Sequence, residues 1–180
     1  MVELGIIYEM EKKFDKAIET YENVLSLFPY HLAARERLGA LYLSQDKRGK
    51  ALKEFQALEK LETGNLELRV KMGLLYLEEK DYEKAIEEFR FTLTAKPELH
   101  QVRYYLAIVY TEAGQSQQAL DELKKIPPDS PIYQDSLLQI AVLHHKEGRD
   151  NEALAVLQRA LEKKPLSVSY THLTLPTNRE

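Results

Sequence analysis

Apolar residues recur three and four positions apart along almost the whole chain, against a background of Glu, Lys, Gln and Arg. That spacing marks amphipathic helices. It also repeats on a longer scale. LGIIY at residues 4–8 returns as LGALY at 38–42, MGLLY at 72–76, LAIVY at 106–110 and IAVLH at 140–144, each 34 residues after the last. Ala17, Ala51, Ala85, Ala119 and Ala153 keep the same step. Four residues after each comes a large apolar side chain: Tyr21, Phe55, Phe89, Leu123 and Leu157. Pro29, Pro97, Pro131 and Pro165 close four units, with Thr63 where the remaining proline is expected. Short polar turns, EKK, QDK, EKD, AGQ and EGR, split each unit in two. The pattern predicts ten helices in five antiparallel pairs.

Small and large residues alternate for a packing reason. Gly5, Gly39, Gly73, Ala107 and Ala141 are expected where a second helix crosses too closely for a bulky side chain. The aromatic positions fill the space that the small residues leave. One helix pair cannot bury its apolar faces, but stacked pairs can, so the expected fold is an all-α solenoid. Two departures stand out. His144 takes the Tyr position of the last unit, which is expected to loosen packing there. Pro127 and Pro128 are expected to end the fourth unit's second helix about a turn early and to alter the superhelix near residues 126–131.

The L-G-x-x-Y, A-x-x-x-F and P pattern at 34 residues resembles the tetratricopeptide repeat. The resemblance covers residues 1–167 as five units: 1–31, 32–65, 66–99, 100–133 and 134–167. It implies a right-handed superhelix whose first helices line a concave groove, and it implies which register positions face that groove. These are Ile6, Ala40, Leu74, Ile108 and Val142; Val70, Tyr104 and Leu138; and Leu43, Leu77, Thr111 and His145. The stripe is largely apolar, bordered by Glu67, Glu78, Gln101, Glu112, Asp135 and Lys146. Some relatives clamp a C-terminal carboxylate with Lys, Asn and Arg at fixed positions. Here Arg37 and Lys71 fit, but Ala40 and Leu74 replace the Asn and Glu67 replaces a Lys, which disfavours that mode. An apolar groove suits an amphipathic helix or extended segment with Leu, Phe or Met anchors.

Composition narrows the alternatives. The chain is 44% hydrophobic and 30% charged, with 7 Gly and 7 Pro in 180 residues, too apolar for a disordered segment. Net charge is −4 from 25 basic and 29 acidic residues, without the basic block of a nucleic-acid binder. There is no cysteine, which removes disulfides, thiol catalysis and Cys-ligated metal, and leaves the redox compartment open. No run approaches the ~18 apolar residues of a membrane span. His144 and His145 are adjacent, so on a helix they point about 100° apart and cannot share a metal as i, i+4 ligands do. The register puts His144 in the packing layer and His145 near the groove. The carboxylate pairs Glu78–Glu79 and Glu87–Glu88 read as solvated helix faces interleaved with Lys. Without a phosphate loop or a Ser-His-Asp set on a scaffold, neither catalysis nor a cofactor is expected.

Both ends break the register. The first unit begins at its fourth position, and residues 168–180, VSYTHLTLPTNRE, have no helical period. That stretch resembles the conceptual translation of a transposase-based sequencing adapter, so a non-native tail on a gene fragment is expected. The start, MVELGIIYEMEKKF, lacks a signal-peptide layout, which favours the cytoplasm. A truncated start weakens that inference and leaves a periplasmic or envelope location open. Leu154, Leu157 and Leu161 on the last second helix offer a surface for self-association. The expected function is a non-enzymatic scaffold binding a partner protein or peptide. The alternatives are the non-catalytic arm of a larger enzyme, such as a glycosyltransferase or kinase, or part of an envelope assembly or secretion factor.

Overall fold

A computed structural model of the chain describes residues 1–162, so the expectations for 168–180 lie outside the described residues. Ten α-helices occupy them: α1 (Val2–Met10), α2 (Phe14–Leu27), α3 (Leu32–Ser44), α4 (Arg48–Leu61), α5 (Leu66–Glu78), α6 (Tyr82–Ala95), α7 (His100–Glu112), α8 (Ser116–Lys124), α9 (Tyr133–Lys146) and α10 (Asp150–Glu162). No strand occurs among the described residues. The fold is an all-α solenoid of helix pairs, and contacts divide it into two compact units, Met1–Glu122 and the chain from Leu123 onward.

Each turn between paired helices is built the same way. The residue after the C-cap adopts a left-handed backbone: Lys12, Asp46 and Lys80 at φ of 57°, 56° and 60°, Gly114 and Gly148 at 74° and 73°. The next N–H then donates back to the register's aromatic position. Lys13 reaches the carbonyl of Tyr8, Lys47 that of Tyr42, Asp81 that of Tyr76, Gln115 that of Tyr110 and Arg149 that of His144, at 2.7–2.9 Å. This is the Schellman arrangement, which satisfies carbonyls that a helix end otherwise leaves orphaned. Some helix starts are capped by side chains: His31 Nδ1 and Asn65 Oδ1 accept from the N–H groups of Ala34 and Leu68, at 3.3 and 3.1 Å.

In the first unit each second helix packs on the next first helix, α2 on α3, α4 on α5 and α6 on α7, besides its own partner. Close crossing depends on the small residues. A Cβ placed on Gly5 would lie 2.4 Å from the Tyr21 ring, and one on Gly39 would lie 2.5 Å from Phe55. Neither ring can retreat, because both are buried in the core. Gly73 and Phe89 repeat the arrangement at 2.6 Å.

α8 has 9 residues where α2, α4 and α6 each have 14. It stops at Lys124, ahead of Pro127 and Pro128, whose missing N–H groups and ring clashes forbid continuation. In the second unit α9 packs on α10, burying Leu137, Ile140, Ala141 and Leu143. His144 is buried there, and its Nδ1 has no hydrogen-bond partner among the described residues. Burial holds its imidazole below the ordinary value, with Arg149 and Lys124 adding to the effect and Glu152 opposing it.

One charged pair departs from the solvated-face expectation. Glu87 is exposed, but Glu88 is buried. Glu88 accepts from Arg69 at 2.8 Å, and burial pushes its carboxyl above the ordinary range against the pull of that guanidinium. The pair belongs to a series on the same 34-residue step: Arg35–Glu54 at 2.6 Å, Arg69–Glu88 and Arg103–Glu122 at 2.7 Å, all largely buried. The second guanidinium nitrogen of Arg35 donates to the Pro29 carbonyl and that of Arg103 to the Pro97 carbonyl. Where Thr63 stands in place of the proline, Arg69 turns that nitrogen to Glu59 instead.

Candidate partner-binding groove

The register residues assigned to the groove all keep some solvent exposure. Ile6 on α1, Val70, Leu74 and Leu77 on α5, and Tyr104 and Ile108 on α7 are half-buried. Ala40 and Leu43 on α3 are exposed, as are Leu138 and Val142 on α9 of the second unit. Thr111 turns its hydroxyl inward to the Ala107 carbonyl at 2.9 Å. His145 is exposed and lies 2.7 Å from Asp150, away from any buried role.

Two of these residues are brought into one pocket. Ala40 and Leu43 line an open cavity of about 320 Å³ with Glu36, Ser44, Phe55 and Lys71. Its walls are mainly apolar, and its position follows from α3, α4 and α5 converging there. Gly39 faces inward and admits the Phe55 ring, which supplies one wall. Ala40, the next residue, is the smallest of the series Ile6, Ala40, Leu74, Ile108 and Val142.

Polar groups rim this pocket unevenly. Lys71 is paired with Glu67 at 2.8 Å. Ser44 donates its hydroxyl proton to the Leu41 carbonyl at 2.8 Å. Nearby, Arg37 is paired with Glu9 at 3.1 Å and Arg48 with Glu78 at 2.9 Å. Glu36 is exposed and carries no ion pair among the described residues. Glu36 and Ser44 were not singled out from the sequence as groove residues. The signal for them was the run E-R-L-G-A, where the only Gly-Ala step at this register makes room beside a carboxylate.

Among the described residues, no three His, Asp or Glu side chains gather into a metal-binding group. No described helix is long and apolar enough to cross a membrane. Leu154 and Leu161 are exposed on α10, while Leu157 is partly covered.

Helix pairs on a 34-residue step, each closed by the same turn and packed small against large, define a helical-repeat protein. The chain belongs to the tetratricopeptide repeat family: models of that repeat match residues 9–75, 76–131 and 136–169. Solved structures share the fold. MamA aligns over 97% of this chain and 95% of its own, with TM-score 0.80 and 21% identity. Residues 41 to the end of MamA from Desulfovibrio magneticus RS-1 align over 89% of this chain and 90% of that one, with TM-score 0.75 and 13% identity. YrrB, described as a TPR protein with an unusual peptide-binding site, aligns over 89% of this chain and 83% of its own, with TM-score 0.75 and 15% identity. No curated protein sequence matches significantly.

Proposed function

We propose that this protein is a non-enzymatic interaction scaffold that binds a partner protein or peptide through the groove face carrying Ile6, Ala40, Leu43, Val70, Leu74, Leu77, Tyr104 and Ile108 in the first unit, with Leu138 and Val142 on the corresponding face of the second unit taken by itself. The observation that carries this reading is the open, mainly apolar pocket at Ala40 and Leu43, on the face the family's register assigns to ligands. Apolar side chains left accessible on a helical scaffold suit a helix or extended segment that supplies its own anchors. Membership of the repeat family and the peptide-binding site of YrrB support the same reading.

The test is a selection of phage-displayed peptides on the wild-type protein, followed by fluorescence polarisation of the enriched sequences. Leu74→Glu places a charge on the apolar face and Tyr104→Ala removes its largest side chain. Each is expected to weaken binding at least about tenfold with little loss of helicity by circular dichroism. Enriched peptides that bind both variants as they bind the wild type put the interaction on another surface.

A further inference from the structure

The pocket on α3 opens at the smallest residue of its register series. At its register position the other units carry Ile6, Leu74, Ile108 and Val142, and only the second carries an alanine. Beside Ala40 lies an open cavity of about 320 Å³, walled by Leu43 and Phe55. The cavity is open and its walls are mainly apolar, which suits an apolar side chain presented by a partner segment.

We infer that this cavity is a socket for one aliphatic or methionine side chain of a partner peptide, with a Lys or Arg beside that anchor in the partner to meet Glu36. This rests on the groove reading above and makes it specific. Apolarity comes from Ala40, Leu43 and Phe55, and it suits an aliphatic or methionine anchor. The sign of the flanking charge comes from the rim. Lys71 is held by Glu67, Arg37 by Glu9 and Arg48 by Glu78. Glu36 is exposed and, among the described residues, forms no ion pair. An incoming cation completes the pattern; an incoming carboxylate meets an uncompensated like charge.

The same peptide selection tests it with different substitutions. Enriched sequences are expected to pair Leu, Ile or Met with a neighbouring Lys or Arg. Ala40→Ile fills the socket from within using a residue the register already accepts at Ile6 and Ile108. It is therefore expected to fold with an unchanged or higher melting temperature, yet to lose at least about tenfold in affinity, the effect of one buried aliphatic anchor. Ala40→Val is expected to give a smaller loss in the same direction. Glu36→Lys is expected to weaken the basic peptides and to recover affinity for versions whose Lys or Arg is replaced by Glu. Peptides that respond to Leu74→Glu but bind Ala40→Ile and Glu36→Lys normally overturn the socket while leaving the groove. A selection that enriches no peptide, or only peptides indifferent to all these variants, overturns both.

Discussion

In α5–α6, Gly73 lets the Phe89 ring lie against the helix, Tyr76 accepts a hydrogen bond from Gln56 at 2.7 Å, and Arg69 clasps Glu88 at 2.8 Å. In α9–α10 the same register positions hold Ala141, Leu157, His144, Leu137 and Val156. The ring is gone, the phenol has become an imidazole with an unpartnered nitrogen, and the ion pair is replaced by aliphatic side chains. Both pairs still close with the same turn and the same back-donation to the first helix. The turn differs in the opposite sense: Lys80 holds φ at 60° in the first pair, whereas glycine, which suffers no Cβ clash there, holds it at 73° in the second. A repeat thus needs its small residue, its apolar stripe and its turn geometry, while the aromatic wedge and the buried ion pair are options. Each pair combines weak and strong elements in a different place.

Three sets of substitutions would break or sharpen that contrast, beginning with the largest effect. Arg69→Ala leaves Glu88 buried without its cation and is expected to cost about 2–3 kcal/mol in urea unfolding, since an orphaned buried charge is far worse than none. Adding Glu88→Leu to Arg69→Met, which imitates the aliphatic pair of α9–α10, is expected to recover most of that loss. A single-variant cost below about 0.5 kcal/mol would mean that the clasp contributes nothing beyond a surface pair. His144→Tyr is expected to gain about 1 kcal/mol by restoring the register's residue. It also tests a pH effect with a definite sign. His144 is held neutral when folded, its pKa lying below the ordinary 6.5, so the unfolded chain binds the proton first. Stability is therefore full above about pH 6.5 and falls as pH drops through that value towards the folded pKa. Melting temperatures between pH 7.5 and pH 5 should show a drop in the wild type that is smaller in His144→Tyr. An equal drop in both assigns it to the carboxylates instead. The smallest effect is at the turn. Lys80→Gly is expected to gain about 0.5–1 kcal/mol by relieving the left-handed strain, and Gly148→Lys to lose a similar amount. Thermal melts that move the wrong way at either site would sink the account of the turn.

Much of this was legible because repetition multiplies weak signals. LGIIY alone is an ordinary helical pentapeptide, but its returns fix where helices pair and where α8 must stop before Pro127. Charge was harder to read. Arg35, Arg69 and Arg103 keep the 34-residue step across three units, and so do Glu54, Glu88 and Glu122. A charged residue on a helix usually faces water, so Glu88 was assigned to a solvated face. Only the packing of α5 against α6 shows it inside. The groove was legible as a stripe but not as a cavity. Ala40 marks a pocket only once Phe55 is known to stand behind it on Gly39.

The guanidinium clasps reach further than their own helix pair. Pro29 closes one unit and Arg35 opens the next, so the hydrogen bond from Arg35 to the Pro29 carbonyl, with its ion pair to Glu54, ties three successive segments at one point. Arg103 does the same between Pro97 and Glu122. Unfolding a single pair there would strip the clasp from its neighbour, which raises nearest-neighbour coupling in a quasi-one-dimensional array. The helices from α2 to α7 are therefore linked in series by these clasps, whereas α9–α10 carries Leu137 at the arginine position and has no such clasp among the described residues. A ligand seated on α3 would thus load the cooperative part of the array, so that a pull on the partner is resisted by several helix pairs at once.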